Sequence, residues 1–373
     1  MSTLKVTVLV VLLSAVVANA GILFGSYTQS GESPSLWQAF NAWFQSQGHP
    51  QLQQSVRVVN VGWAPIDTMK HHFDFIRDVW TYAIAVPIIS FEPYPYKTWT
   101  KPAPCDDIVN GVYDDYLDAF FGNLSHNYVF ERAPEFTRIA YLRFAPQPNG
   151  NWFPWSPSCP PCGSTGQRIN QTAASYKRMW DYVIAKLRLP KYNLTEDTIQ
   201  VMFDAATTDM TGDVSDFAPD QTNETTRAQW FSATGINWGN TLPGNNWVGA
   251  NSLFKPTLKK LMAINSTTPL AITSAGTTSV PNGLEAKNAW LSDLCDLAKS
   301  MLKMISYHNA DSSTDIAVFG GAKGIRNYST PYSNDEYPEY PNWRECLQGP
   351  EFVGSNYLDS TTVINQSCFK GRC

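Results

Sequence analysis

The sequence has few charged residues and no concentration of one sign. Lys, Arg, Asp and Glu make up only 16% of the 373 residues, and the formal net charge is −5. Proteins that bind nucleic acid cluster Lys and Arg on one face or along one helix. No such cluster is present, so we expect no nucleic-acid partner.

Motifs that hold cofactors or metals are also missing from the sequence. No G-x-G-x-x-G follows the first apolar run, and no phosphate-cradling glycine loop occurs. His71 and His72 stand together in a helical stretch, without an acidic or cysteine partner at ligand spacing. The sequence therefore predicts neither a cofactor nor a metal.

A long apolar run occurs at the N-terminus and is absent from the rest of the chain. Residues 1–20 place one lysine before the apolar stretch Val6 to Val17 and end in the small residues Ala18-Asn19-Ala20. This pattern is typical of a secretory signal peptide and is too short for a spanning helix. We predict cleavage before Gly21, a secreted extracellular protein and no membrane span. An N-terminal anchor is the alternative.

Seven cysteines fit an oxidising compartment, where disulfides persist. We expect Cys346, Cys368 and Cys373 to staple the tail. Cys159 and Cys162 are expected to staple a local loop rather than to form a redox dithiol. The odd count leaves one thiol free or paired between chains. The disulfide candidates are Cys105, Cys159, Cys162, Cys295, Cys346, Cys368 and Cys373.

Asparagine sequons indicate the same compartment. A single N-x-S/T is weak evidence, but seven of them behind a signal peptide predict a eukaryotic glycoprotein. The predicted glycosylation sites are Asn123, Asn170, Asn193, Asn223, Asn265, Asn327 and Asn365.

Short apolar runs alternate with amphipathic stretches along the chain. This alternation predicts parallel βαβ units, and eight apolar runs predict a closed (β/α)8 TIM barrel. An open doubly wound sheet is the alternative, which the missing glycine fingerprint weakens. The predicted strands are Ile22–Tyr27, Val56–Gly62, Ala83–Phe91, Arg138–Phe144, Ile199–Phe203, Phe231–Trp238, Leu270–Thr273 and Ile316–Gly320.

Apolar stripes at helical spacing lie between the predicted strands, at residues 36–44, 112–121, 179–187 and 290–305. They are the core faces of helices. For the domain organisation we predict a signal peptide over 1–20 and one α/β barrel over 21–331. An irregular, cysteine-containing C-terminal tail over 332–373 is predicted to pack on the barrel.

Aromatic residues are abundant and stand at the predicted strand ends. The chain has 13 Trp, 17 Tyr and 19 Phe, which is more than a core needs, and flat rings stack on sugar faces. In this fold, function is found where the strands end. We predict a substrate-binding rim, with plain packing as the alternative for each ring, from Trp63, Tyr94, Trp152, Trp155 and Trp238.

The stretch Leu142 to Trp155, LRFAPQPNGNWFPW, resembles the strand-four signature of glycoside hydrolase family 26. That family contains β-mannanases and related β-glucan- and xylan-cleaving enzymes on a TIM barrel. Its pattern is an arginine, then His-Glu-Met-Asn-Gly, then an aromatic run ending in tryptophan. Weaker resemblance extends over most of the chain, through Asp107 to Leu117, Ser175 to Trp180 and Pro269 to Thr273.

The resemblance implies supporting roles for Arg143 and Asn149, but it fails at the catalytic positions. The acid/base glutamate of the family falls on Gln147, the histidine before it on Pro146, and the nucleophile glutamate on Ser274. Retaining glycosidases need two carboxyl groups about 5–5.5 Å apart. An amide carries no acidic proton to donate. We therefore expect no intact catalytic pair.

Three functions remain as hypotheses. The first is a pseudoenzyme that binds a β-linked polysaccharide or oligosaccharide in the former active-site groove. The second is a structural or self-assembling glycoprotein, with itself or an extracellular matrix as partner. The third is an active glycosidase of the endo-β-mannanase or glucanase type that uses other carboxylates, with Glu92 and Asp204 first and Asp209 after them.

Overall fold

Eight parallel strands close into a barrel in the computed structural model of the chain. The structure describes residues 21–28, 37–38, 41–42, 53–63, 65–95, 103–157, 171–239, 246–310, 314–319, 340–355 and 363–373. Some predictions lie outside the described residues: the signal peptide, most of the stripe at 36–44, Cys159, Cys162, Asn170 and Asn327.

The barrel strands are β1 Ile22–Thr28, β2 Val56–Trp63, β3 Val86–Pro95, β4 Ala140–Phe144, β5 Ile199–Ala206, β6 Trp230–Asn237, β7 Leu270–Thr277 and β8 Met304–Asn309. They pair in chain order from β2 to β8, then to β1, and β1 pairs with β2 to close the ring. Leu23 lies opposite Met304, and Gly25 opposite Val56. Both faces of the strands are covered, so β4, β5 and β7 are buried throughout. The predicted (β/α)8 barrel is confirmed.

The strands are connected by helices. These are α1 Met69–Tyr82, α2 Cys105–Val109, α3 Asp114–Asn123, α4 Ala173–Leu187, α5 Val214–Phe217, α6 Ala250–Ile264 and α7 Gly283–Met301. A π-helical segment, Leu124–Val129, continues α3. A capping box begins α4, because the side chains of Thr172 and Ser175 each accept from the other's backbone amide. In the described part of the chain, no helix has the length and apolarity needed to cross a membrane.

The last strand does not lie where the sequence predicted it. The eighth strand is Met304–Asn309, and residues 316–319 of the predicted strand form no ladder. The apolar stripe at 290–305 did not reveal where the helix ends and the strand begins. Ile305 continues the helical spacing of apolar residues, although α7 has already ended at Met301. The backbone of Val318 and Phe319 is held by a side chain instead of by a neighbouring strand, because both amides donate to Oδ1 of Asn309.

The other seven strands lie where the sequence predicted them, with shifted ends. The prediction started β3 at Ala83, but the chain becomes extended only at Val86. Ile84 has a positive φ of 49°, which a strand cannot contain. At the other end of the barrel β7 extends to Thr277 rather than stopping at Thr273. The polar residues in this stretch, Ser274 and Thr277, are only 6% and 0% exposed, and an apolar run alone does not reveal such residues as strand.

The barrel end where the strands begin, here called the N-terminal pole, is covered by the last residues of the chain. Two elements form this cover: β9 Phe352–Val353, which pairs with the start of β1, and α9 Gln366–Phe369. The helix before them, α8 Pro341–Leu347, packs against the side of the barrel, with the Trp343 ring centroid 5.7 Å from that of Tyr307 in β8. The carbonyl oxygen of Phe369 accepts from the Tyr141 hydroxyl and from Trp230 Nε1, both at 3.2 Å. Its ring centroid lies 4.9 Å from that of Tyr141.

Two disulfides fix the tail. Cys295 of α7 is bonded to Cys346 of α8, and Cys368 to Cys373. Cys105 is a free thiol and is buried, so it lacks the accessibility that a bridge between neighbouring chains requires.

Five of the predicted glycosylation sites are described, and they lie away from the carboxyl ends of the strands. Asn123, Asn193, Asn223 and Asn265 fall between a helix and the strand that follows it, which places them towards the N-terminal pole. Asn365 is the N-cap of α9, and its Oδ1 accepts from the Cys368 amide at 2.8 Å.

Candidate functional site

A groove with a volume of about 850 Å³ lies at the opposite end of the barrel, here called the groove pole. The end of every strand contributes to its walls. The strand residues include Tyr27, Asn60, Glu92, Arg143, Ala206, Thr234, Ser274 and His308. The segments after β4 and β6 add Gln147, Trp152, Phe153 and Trp238. TIM barrels place their active sites at this end.

The floor of the groove is a buried ion pair surrounded by hydroxyl groups. Arg143 Nη1 lies 3.7 Å from Asp204 Oδ2 and 3.0 Å from Thr273 Oγ1. Asp204 is 0% exposed and accepts from the hydroxyls of Ser232 at 2.6 Å, Thr273 at 2.8 Å and Thr234 at 3.0 Å. A buried charge needs a counter-charge and hydrogen bonds, and this one has both. Within this pair Arg143 lines the groove, and Asp204 lies below it, outside the groove walls, and supports it.

Glu92, at the end of β3, faces the groove itself. Its Oε1 accepts from Ser90 Oγ at 3.1 Å, and Ser90 also accepts from Arg143 Nη2 at 2.9 Å. Burial raises the pKa of the Glu92 carboxyl, although Arg143 and the hydrogen bond from Ser90 act in the opposite direction. Among the groove walls in the described residues, Glu92 is the one carboxylate.

Gln147 faces the groove on a turn with unusual backbone geometry. Both Ala145 and Gln147 have positive φ, at 42° and 56°, which costs side-chain-bearing residues energy and is found at functional sites. The turn is held by the Gln147 amide, which donates to the carbonyl of Asp204 at 2.8 Å. Gln147 Oε1 accepts from Trp152 Nε1 at 3.1 Å. Its Nε2 group has no hydrogen-bond partner among the described residues.

The two tryptophans of this loop have different environments. Trp152 is 43% exposed and lines the groove. Trp155 is 0% exposed, donates from Nε1 to the Pro146 carbonyl at 2.7 Å and stacks on Phe153 at 4.5 Å. Gly150 allows Trp152 to lie close, because a Cβ there would come within 2.6 Å of the indole. Trp152 can therefore meet a ligand, and Trp155 supports the loop from behind.

Of the other predicted aromatic residues, Trp238 lines the groove and is half-buried. Tyr94 packs edge-on against Trp155, with ring centroids 5.4 Å apart. Trp63 is only 2% exposed and lies between Phe91 at 5.7 Å and Tyr116 at 4.8 Å. The structure thus brings two of the five predicted rings, Trp152 and Trp238, to the groove walls.

Asn149 joins two loops below the groove. Its Nδ2 donates to the carbonyl of Ala206 at 3.0 Å and to Asp209 Oδ1 at 2.8 Å, while its Oδ1 accepts from the Ala206 amide at 2.8 Å. Asp209 also accepts from Lys260 Nζ at 2.6 Å. Asn149 therefore positions the loop that carries Gln147, and Asp209 is engaged away from the groove walls.

His308 is a groove residue that sequence reasoning missed. Its Nδ1 lies 3.2 Å from Ser274 Oγ, and its ring stacks on Tyr27 with centroids 4.7 Å apart. The signal was the run Met304 to Asn309, apolar at its start and polar at its end, which is the profile of the other strands. Placing the eighth strand at 316–320 removed His308 from consideration.

A metal site does not emerge from the described residues, which contain no cluster of three His, Cys, Asp or Glu side chains suited to an ion.

No protein-family profile matches the chain, and neither does any curated protein. Solved structures do. The YdhT protein from Bacillus subtilis matches with a TM-score of 0.51 at 16% identity, over 84% of this chain and 89% of that one. A glycoside hydrolase family 5 enzyme from Prevotella bryantii B14 matches with a TM-score of 0.56 at 10% identity, over 88% and 97%. The chain has a glycoside-hydrolase-like TIM-barrel fold.

A GH5-4 broad specificity endoglucanase from an uncultured bacterium has the same architecture, with a TM-score of 0.54 at 10% identity over 89% of this chain and 95% of that one. At such identities the likeness is one of fold. The resemblance to family 26 therefore stays a prediction.

Proposed function

We propose that this protein is a secreted glycoprotein that binds a β-linked oligosaccharide or polysaccharide in the groove without cleaving it. One observation carries the proposal: the groove has a neutral amide, Gln147, and a single described carboxylate, Glu92, beside an exposed indole. Hydrolysis by inversion or retention needs two carboxyl groups across the sugar. Of the other two candidate carboxylates, Asp204 lies below Arg143, and Asp209 is bound to Asn149 and Lys260 away from the groove walls.

The groove offers the contacts that a sugar needs. The exposed ring of Trp152 provides a flat apolar face for the C–H side of a pyranose. Gln147 Oε1 is occupied by the indole, so its NH2 group is the end available to a sugar hydroxyl. Asn60 and His308 add polar atoms on the walls. A few polar groups around an apolar cleft are typical of small-ligand sites.

Two of the solved barrels were obtained with sugars bound, which supports the choice of ligand class. The Prevotella bryantii enzyme, as a point mutant, is in complex with a xyloglucan tetradecasaccharide, at a TM-score of 0.52 and 11% identity. Thermotoga maritima Cel5A, in a mutant form, is in complex with cellobiose, at a TM-score of 0.51 and 11% identity. Those proteins take their ligands on the same fold.

Binding is tested by calorimetry of the secreted protein with manno-, cello- and xylo-oligosaccharides. We expect one of these series to bind, and Trp152→Ala to weaken its binding about tenfold, from the loss of one stacking contact. Tyr82→Ala is the matched control, because Tyr82 is 48% exposed on α1, away from the groove walls. No binding in any series, or equal losses in both variants, would refute the proposal.

Hydrolysis is tested by release of reducing ends from mannan, mixed-linkage glucan and xylan. We expect none from the native protein. Release by a Gln147→Glu/Ser274→Glu double variant would show that only the catalytic pair is missing. Release by the native protein would contradict the proposal and direct attention to Glu92.

A further inference from the structure

Ser274 and His308 meet in the groove from neighbouring strands. Their strands pair, with Ala275 opposite Tyr307. Ser274 Oγ lies 3.2 Å from His308 Nδ1, and both side chains belong to the groove walls. Ser274 and His308 take no part in the Arg143–Asp204 ion pair or in the side-chain hydrogen bond of Gln147.

The imidazole is oriented by Tyr27. The two rings stack with an interplanar angle of 26°, which holds the plane of the imidazole, and Nδ1 is the ring nitrogen that lies 3.2 Å from Ser274 Oγ. In the tautomer protonated at Nε2, Nδ1 accepts the hydroxyl hydrogen of Ser274. A serine becomes a useful nucleophile when a base at hydrogen-bond distance can take its proton. The pair has that geometry inside a cavity open to a ligand.

We propose that Ser274 is a nucleophile, with His308 as its general base, towards O-acyl esters carried by a sugar. Ser274 Oγ bonds to the ester carbonyl carbon, and its proton passes to His308 Nδ1. The bond from that carbon to the sugar oxygen then breaks, and the imidazolium protonates the departing sugar oxygen, which leaves as a hydroxyl. Water, deprotonated by His308, then attacks the acyl carbon of the acyl-serine. The bond to Ser274 Oγ breaks, the imidazolium returns its proton to that oxygen, and the carboxylic acid is released.

The groups in the groove fit ester cleavage better than glycosidic cleavage. Acyl transfer needs a nucleophile, a base and a donor for the carbonyl oxygen, which becomes negatively charged in the tetrahedral step. The Nε2 group of Gln147 is a donor that lines the same groove, from the segment after β4. No second carboxylate is required, whereas breaking a glycosidic bond would require one.

The direct test is covalent labelling of the full secreted protein with a fluorophosphonate, a probe for activated serines, followed by peptide mapping. We expect the label on Ser274, its loss in Ser274→Ala, and labelling at least about 100-fold slower in His308→Gln. Ser215→Ala and His126→Gln are the matched controls, because both residues are exposed and lie outside the groove walls.

Three results would overturn the nucleophile: an unlabelled native protein, a label on a different serine, or native-rate labelling of a folded His308→Gln variant. The first two are read on the unaltered protein, so a variant that misfolds does not remove the test.

The sugar part of the substrate rests on the proposed function, and a second assay tests it separately. We expect acetate release from O-acetylated glucomannan or xylan, abolished in Ser274→Ala. Labelling of Ser274 without any acetate release would overturn the sugar ester as substrate. Labelling without oligosaccharide binding would refute the proposed function but not the nucleophile. Oligosaccharide binding without labelling of Ser274 would refute the nucleophile but not the proposed function.

Discussion

The two poles of the barrel are made from the same strands but end differently. At the N-terminal pole, Tyr141 and Trp230 donate to one carbonyl of the tail, and Phe369 fills the space between them. At the groove pole, Gln147 Nε2 has no partner among the described residues, and Ser274 and His308 face a cavity. The comparison shows where this fold uses its side chains for stability and where it keeps them available for a ligand.

Phe369→Ala is expected to cause the largest loss of stability among these variants. It should affect the N-terminal pole without changing ligand binding at the groove pole. Removing a fully buried phenylalanine leaves a cavity, so the free energy of unfolding should fall by about 4 kcal/mol in a urea titration. Oligosaccharide affinity at 25 °C should not change. Val112→Ala, at a 65% exposed residue, should shift stability by less than about 0.5 kcal/mol. A matching loss of affinity in Phe369→Ala would show that the poles are not independent.

Asp204→Asn tests whether the buried Arg143–Asp204 ion pair at the groove pole contributes to the stability of the fold. The change leaves the Arg143 guanidinium buried without its counter-charge, so we expect a loss of about 3 kcal/mol in the free energy of unfolding. Asp213→Asn is the control, since its ion pair with Lys260 is 43% and 40% exposed and should contribute no more than about 1 kcal/mol. Equal losses in both variants would argue against a structural role for the floor pair.

Gly150→Ala perturbs the exposed indole without removing it. The new Cβ would collide with Trp152, which can move because it is part-exposed, and the hydrogen bond to Gln147 would be lost at a cost of about 1 kcal/mol. We expect a roughly fivefold weaker oligosaccharide Kd and a shifted tryptophan emission. Gly122→Ala, where a Cβ meets nothing within 4 Å, should leave both unchanged. Unchanged binding in Gly150→Ala would remove Trp152 from the site.

Glu92→Gln should give the smallest change in stability, and the change should appear as a different dependence of the melting temperature on pH. Burial raises the Glu92 pKa in the folded state, so its contribution is fully present below the unfolded pKa and is lost as pH rises through the folded pKa. The glutamine mimics the protonated form at every pH. As pH rises above the unfolded pKa of a glutamate, about 4.3, the melting temperature of the variant should therefore increase relative to that of the native protein, until the pH has passed the raised folded pKa. Parallel curves would contradict a raised pKa.

The architecture could be predicted because each early strand is an apolar run closed off by polar residues. The eighth strand was missed for a local reason. Only Leu302 and Lys303 separate α7 from β8, and Met304 and Ile305 continue the apolar spacing of the helix. The alternative at 316–319 is buried like a strand, although its backbone is held by the side chain of Asn309.

The site was predictable only as far as the strand ends fix it. Counting along the strands placed Glu92, Gln147 and Ser274 at the groove, since a barrel brings strand ends together, and the resemblance to family 26 added Arg143. Whether an aromatic ring at a strand end is buried or faces the groove depends on residues distant in the chain. Trp63, for example, is covered by Tyr116. Periodicity holds no information about such partners, and His308 was lost together with its strand.

The position of β1 has a consequence for how the chain is made. Ile22 and Leu23 pair with Phe352 and Val353, while β8 occupies the opposite edge of β1. A ribosome delivers β2 soon after β1, and Gly25 to Tyr27 can pair with it early. The edge that β8 covers, and Ile22 and Leu23 on the other edge, stay unpaired until much later in synthesis. Open edges invite pairing with other chains. We therefore expect folding chaperones to remain engaged with this protein until β8 and β9 have been synthesised.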